Sequence, residues 1–164
     1  METPDDPRSP RIPESGDLVA LCRALNAREA RYVVIGGLAM AHQGLIRATE
    51  DVDLLIERSR ENQRRVRDAL ECLPDKAVRE MTDDDLDNFV VVRVADEIVV
   101  DLMLAACGVS YAEAVAEIEY AEIQGVRIPF ASKKLLWRLK QGWREKDQLD
   151  RHWLESELGG PPHD

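Results

Sequence analysis

Val33-Val-Ile-Gly-Gly37 and, after a gap of thirteen residues, Asp51-Val-Asp-Leu-Leu-Ile56, led in by Ile46-Arg-Ala-Thr-Glu50, decide how this chain is read. An apolar run breaks at two glycines, and two aspartates stand at the head of a second apolar run. Successive side chains on a strand point to opposite faces, so Asp51 and Asp53 share a face while Val52 turns away. Two adjacent carboxylates repel unless something positive lies between them. A divalent cation with hard oxygen preference, Mg²⁺ or Mn²⁺, answers that need. The glycine pair lets backbone N–H groups approach a phosphate at the start of a helix. Together these features point to a site for a metal ion and a nucleotide.

The surrounding chain bounds that reading. Its 164 residues fit one domain, 45% apolar, with a net charge of −10 from 22 basic and 32 acidic side chains. Such acidity argues against broad non-specific binding of nucleic acid, where phosphate neutralisation dominates. No run approaches the roughly 20 apolar residues of a bilayer span, and the N-terminus lacks the basic-then-apolar start of a signal peptide. A soluble cytoplasmic protein without membrane contact is expected. Cys22, Cys72 and Cys107 are widely spaced in apolar contexts and read as reduced core thiols. One segment runs against the overall charge: Lys133, Lys134, Arg138, Lys140, Arg144, Lys146 and Arg151 make 131–151 basic. A second basic set, Arg58, Arg60, Arg64, Arg65 and Arg67, reads as a solvated helix face.

Proline and charge mark residues 1–15 as a disordered tail, and 159–164, Gly-Gly-Pro-Pro-His-Asp, as another; 16–158 form a single domain. Helical spacing covers 17–28, a short buried strand 32–35, a helix opened by Gly37 and ended by Gly44, a strand 51–56 and a helix 62–73 closed by Pro74. The β-branched runs 89–94 and 97–104, joined at Ala95-Asp96, have the pattern of an antiparallel hairpin. Ser110 caps a further helix, 118–123 and 126–130 flank the turn Gln124-Gly125, and two amphipathic helices follow Ser132. Helices alternating with strands that are apolar on both faces imply an α/β (α+β) fold, a mixed central β-sheet covered by helices.

Asp101, within Ile98-Val-Val-Asp-Leu-Met-Leu104, completes the site. A lone carboxylate buried in such a strand is costly unless it is paired or ligates a metal, and a strand beside 51–56 would let all three aspartates converge. Other clusters read as structure. Asp83-Asp-Asp-Leu-Asp87 fans out around a helix start with Thr82 as N-cap. His42, His152 and His163 lack zinc-ligand spacing. Trp137 and Trp153 suit core packing, while Trp143, among basic residues, is left open as a platform for a base or an acceptor.

In this ordered set the chain resembles the nucleotidyltransferase superfamily of polymerase-β type, in particular its small bacterial AbiEii-like and minimal nucleotidyltransferase members. The resemblance rests on Gly36-Gly37, Asp51-x-Asp53, Asp101 and the stretch Leu135-Leu-Trp-Arg-Leu-Lys140 continuing to Arg144-Glu-Lys-Asp147, and spans 32–154. Where many members carry Gly-Ser, this sequence has Gly36-Gly37, so the backbone donors are kept and a hydroxyl is lost.

The resemblance implies a nucleotidyltransferase fold with C-terminal helices and a metal-dependent transfer of a nucleoside monophosphate from an NTP such as ATP. Asp51, Asp53 and Asp101 would be catalytic and hold Mg²⁺ or Mn²⁺, and Gly36 and Gly37 would hold the triphosphate. Arg47 and Thr49 would brace the phosphates or tie down the loop, and Lys140 would reach the phosphates, with Arg144 or Lys146 assisting. The acceptor it implies is a small molecule, a tRNA end or a protein hydroxyl, the last within a toxin–antitoxin pair with a partner protein. The alternative is a catalytically silent nucleotide- or partner-binding module such as an antitoxin.

Overall fold

The computed structural model describes residues 9–163. In chain order the elements are α1 (Ser15–Ala27), β1 (Tyr32–Ile35), α2 (Gly36–Gln43), β2 (Asp51–Ile56), α3 (Arg60–Leu70), α4 (Asp85–Asn88), β3 (Val92–Ala95), β4 (Val99–Met103), β5 (Ala105–Ala106), β6 (Val109–Ser110), α5 (Tyr111–Ala114), β7 (Ile118–Ile123), β8 (Val126–Ala131), α6 (Lys133–Leu139) and α7 (Glu145–Leu158). Six strands form one mixed sheet in the order β3-β4-β2-β1-β8-β7, and β5 and β6 form a separate small ribbon. The expected mixed sheet covered by helices is the architecture found.

The central strands explain that order. Tyr32–Ile35 is buried throughout and Val52, Leu54, Leu55 and Ile56 are inaccessible to solvent. Strands this apolar on both faces require helices on either side. β2 runs antiparallel to β1 and parallel to β4, and β3 closes antiparallel on the far side of β4. Leu18, Leu21, Cys22 and Leu25 of α1 turn inward at helical spacing, and Leu135, Leu136 and Leu139 do the same from α6. His42 stacks face to face on Phe130 at 3.9 Å, which places it in packing. No helix among the described residues is long and apolar enough to cross a membrane.

Several local expectations need correction. The strand expected over 89–94 begins only at Val92, because the hairpin turns through Asp96-Glu97-Ile98 and pairs Ala95 with Val99. Asp96 fixes that loop by accepting backbone N–H groups of Asp75, Ala77 and Glu97. Phe89, Val90 and Val91 are left exposed before the strand. Helix α3 stops at Leu70, with Ser59 as its N-cap. Ser110 caps as expected, and the single α-helical turn it starts passes into a 3-10 turn over Val115–Glu117.

Thr82 is not the N-cap of the acidic turn; Asp84 holds that place, and Asp85 accepts from both the N–H and the hydroxyl of Thr82. The acids there meet the arginine helix, Asp84 and Asp87 pairing with Arg60 and Asp83 with Arg67. Two arginines of the face expected to be merely solvated, Arg60 and Arg67, thus pair with the acidic turn. Only Cys22 is a core thiol. Cys72 falls just past α3 and Cys107 in the β5–β6 turn, and both are exposed.

Of the stretch 1–15 expected to be a disordered tail, residues 1–8 lie outside the described residues. The remainder is anchored, because Arg11 binds both carboxylate oxygens of Asp17 and also pairs with Glu97. At the other end, the Gly160 N–H closes α7 on the Glu155 carbonyl.

Candidate active site

Strand register builds the acidic cluster. Ile35 pairs with Asp53, Asp53 with Asp101, and Asp101 with Arg93, one row crossing four strands. Asp51 lies two residues before Asp53 and so shares its face. One carboxylate oxygen from each of Asp51, Asp53 and Asp101 lies within 4.8 Å of the others. Hard oxygens so arranged fit one or two Mg²⁺ or Mn²⁺ ions, and the like-charge repulsion among them is what such an ion relieves.

The cost of that crowding appears in the proton affinities. Burial, together with the neighbouring Asp51 and Asp101 charges, pushes the Asp53 carboxyl up to about 7. Asp51 is also raised, by burial and by Asp101. Arg93, which sequence reading missed, partly relieves the cluster. Its Nε and Nη2 bind the two oxygens of Asp101 at 2.9 Å each, and Nη2 lies 3.3 Å from Asp51 Oδ2.

The glycines stand against this cluster. Gly36 has φ +69°, and a Cβ there would fall 2.0 Å from Asp53 Oδ2. The first turn of α2 therefore presents bare backbone beside the carboxylates. At Gly37 a Cβ would fall 2.6 Å from Thr49 Oγ1, so Thr49 fills the space a side chain would take. Thr49 packs there at the end of the 45–50 loop and does not line the cleft.

A cleft of about 520 Å³ brings these parts together. Gly36, Gly37, Asp51, Asp53 and Asp101 line it together with Lys140, Arg144, Lys146 and Asp147 of the C-terminal segment, Val91 and Arg93 from the start of β3, and Met103 and Ala106 from β4 and β5. Lys140 is only 7% exposed; its Nζ sits 3.0 Å from Asp150 and 3.8 Å from Asp147. Arg144 binds Asp147. Arg47 lies outside the cleft and donates to Asp150 at 2.8 Å, which ties the 45–50 loop to α7. The basic segment is thus largely internally paired, with Arg151 donating to the carbonyls of Lys140 and Gly142. Trp137 donates to Glu155, whereas Trp143 is 94% exposed.

The sequence profile of the family described as aminoglycoside-2''-adenylyltransferase matches residues 17–154. The chain belongs to this family. No curated protein matches it. Among solved structures, ANT(2'')-Ia in complex with adenylyl-2''-tobramycin aligns with a TM-score of 0.56 at 18% identity, covering 87% of each chain. A Thermotoga maritima protein described as a nucleotidyltransferase aligns at 0.53 and 20% identity, over 88% of this chain and 97% of its own. An antigenic nucleotidyltransferase-like protein from Paracoccidioides brasiliensis aligns at 0.50 and 18%, over 85% and 74%. At these identities the alignments establish the shared fold. The family match bears out the nucleotidyltransferase superfamily; the AbiEii-like subgroup rests on the motifs alone.

Proposed function

We propose that this adenylyltransferase-family chain moves a nucleoside monophosphate from an NTP, by the family's description ATP, to a hydroxyl on an acceptor, with Mg²⁺ or Mn²⁺ at Asp51, Asp53 and Asp101. The observation that carries this reading is the convergence of those carboxylates within 4.8 Å, beside the bare backbone of Gly36-Gly37. Divalent cations at such a site neutralise phosphate charge and polarise the attacking and leaving oxygens. The chain's own groups divide the remaining work.

The N–H groups at the start of α2 receive phosphate oxygens, and Lys140 adds a positive charge on the same side of the cleft. Asp51 and Asp53 would hold the nucleotide's cation. Asp101, further along the register row, faces the acceptor and takes the proton of its hydroxyl. The acceptor oxygen bonds to the α-phosphorus, the bond from that phosphorus to the bridging oxygen breaks, and pyrophosphate leaves with the electron pair. Asp53 must be ionised to bind a cation, so its raised proton affinity makes loading favour neutral to alkaline pH.

Incubation with labelled NTPs, Mg²⁺ and a cell extract should label an acceptor, and Asp53→Ala should abolish the label. Absence of transfer by the parent, with the variant indistinguishable from it, would sink this reading.

A further inference from the structure

We infer that the acceptor is a small hydroxyl compound carrying a negative charge beside an apolar face, and not a polycation; this rests on the nucleotidyl-transfer reading above. Sheet order fixes where the acceptor lies. Gly36-Gly37 follow β1, the aspartates stand on β2 and β4, and β3 lies beyond β4. With the phosphates against the β1 side, the acceptor meets the cleft on the β3 side.

That side has a distinct chemistry. Val91, just before β3, lines the cleft there, and Val90 and Phe89, preceding it in the chain, are 81% and 60% exposed. Large apolar side chains left open in a run beside a cleft suit an apolar ligand face. The charge on that side is Arg93, whose side chain is 61% exposed while it binds Asp101 and Asp51.

An ammonium-rich acceptor would need carboxylates, and this cleft has none to spare. Asp51, Asp53 and Asp101 are the metal set, and Asp147, the other lining carboxylate, is 4% exposed and bound to Arg144 and Lys140. A divalent cation and the Arg93 guanidinium also compete for the same oxygens of Asp101 and Asp51. Once those oxygens serve a cation, Arg93 is left as an unpaired positive group on the acceptor side. It repels ammonium groups and receives a carboxylate or phosphate in the fork geometry that guanidinium favours. This departs from the tobramycin product held by ANT(2'')-Ia.

A matched set of probes tests the inference: octyl glucoside, octyl glucuronide and octyl 6-amino-6-deoxyglucoside share a ring and an apolar tail and differ in charge. Tobramycin serves as the polycation. Binding is measured by calorimetry with Mg²⁺ and a non-hydrolysable ATP analogue, after the analogue's own Mg²⁺-dependent binding has been recorded. The glucuronide should bind about fivefold tighter than the neutral glucoside, the scale of a partly exposed ion pair, and the amino probe weakest. Arg93→Gln should level the three, and Arg93→Glu should invert their order. Tighter binding of the amino probe or tobramycin by the parent, or an unchanged ranking in Arg93→Gln, overturns the inference while the nucleotide reading stands. Failure of the ATP analogue to bind would remove that reading itself, and this inference with it.

Discussion

Arg93 grips Asp101 by both carboxylate oxygens at 2.9 Å and reaches Asp51 at 3.3 Å, so a guanidinium occupies carboxylate oxygens that the proposed divalent cation would use. On the proposed reading, metal and arginine would compete in the nucleotide-free protein. Arg93→Ala should therefore tighten Mn²⁺ binding in the absence of nucleotide, by about tenfold on the scale of a unit charge a few ångströms away in a partly exposed site. Arg93→Lys should fall between, because an ammonium cannot hold both oxygens. Electron paramagnetic resonance of free Mn²⁺ reads the affinity directly, and equal affinities for parent and Arg93→Ala would refute the competition.

Burial and the neighbouring Asp51 and Asp101 push the Asp53 carboxyl up to about 7 in the folded protein, from its ordinary 3.8. Between these values the native state binds more protons than the unfolded one. The contribution of this group to stability therefore falls as pH rises through that window. Asp53→Asn removes the liability, and its melting temperature should exceed the parent's by a margin that grows from pH 4 to pH 8. Excess Mg²⁺ should narrow the margin at pH 8 by neutralising the parent's carboxylates. A margin independent of pH would count against the assigned proton affinity.

The carboxylate cluster was legible in the sequence because period-two alternation fixes a shared face for Asp51 and Asp53, and an apolar strand around Asp101 had to lie in the same sheet. Arg93 was not legible. Centring the hairpin on Ala95-Asp96 shifts the register away from the Arg93–Asp101 pairing, and only the longer loop held by Asp96 restores it. Arg47 illustrates a different limit. Tying down its loop was one of the two roles considered for it, but the partner that does so, Asp150 on α7, could not be named from its neighbours in sequence. Long-range ion pairs of this kind leave no periodic signal.

Gly37 and Thr49 share one volume. A Cβ at position 37 would lie 2.6 Å from Thr49 Oγ1 and 2.9 Å from its methyl carbon. Gly37→Ser should cost about 1 to 3 kcal/mol, the range for overpacking a filled site. Thr49→Ala in the same chain should recover most of that loss, since the serine then occupies the vacated space. Urea denaturation of the two single variants and the double variant gives the coupling, and simple additivity would refute the shared volume.

Asp150 is the hinge of the buried charge network. It is 1% exposed, accepts from Arg47 at 2.8 Å and lies 3.0 Å from the Lys140 ammonium. Asp150→Ala would strand two cations, one of them nearly buried, and breaking such a network from one side costs about 3 to 5 kcal/mol. Asp150→Asn keeps an acceptor for Arg47 and should cost less, yet it removes the charge that holds Lys140 toward the cleft floor. ATP binding by Asp150→Asn should therefore weaken while its fold survives. Asp147→Asn provides the contrast, because Asp147 is 3.8 Å from Lys140 and its other partner, Arg144, is largely exposed. It should lose less stability than Asp150→Ala and less ATP affinity than Asp150→Asn. Equal losses at the two positions, by urea denaturation and by calorimetry with ATP, would show that Lys140 is held by the network's total charge and not by Asp150.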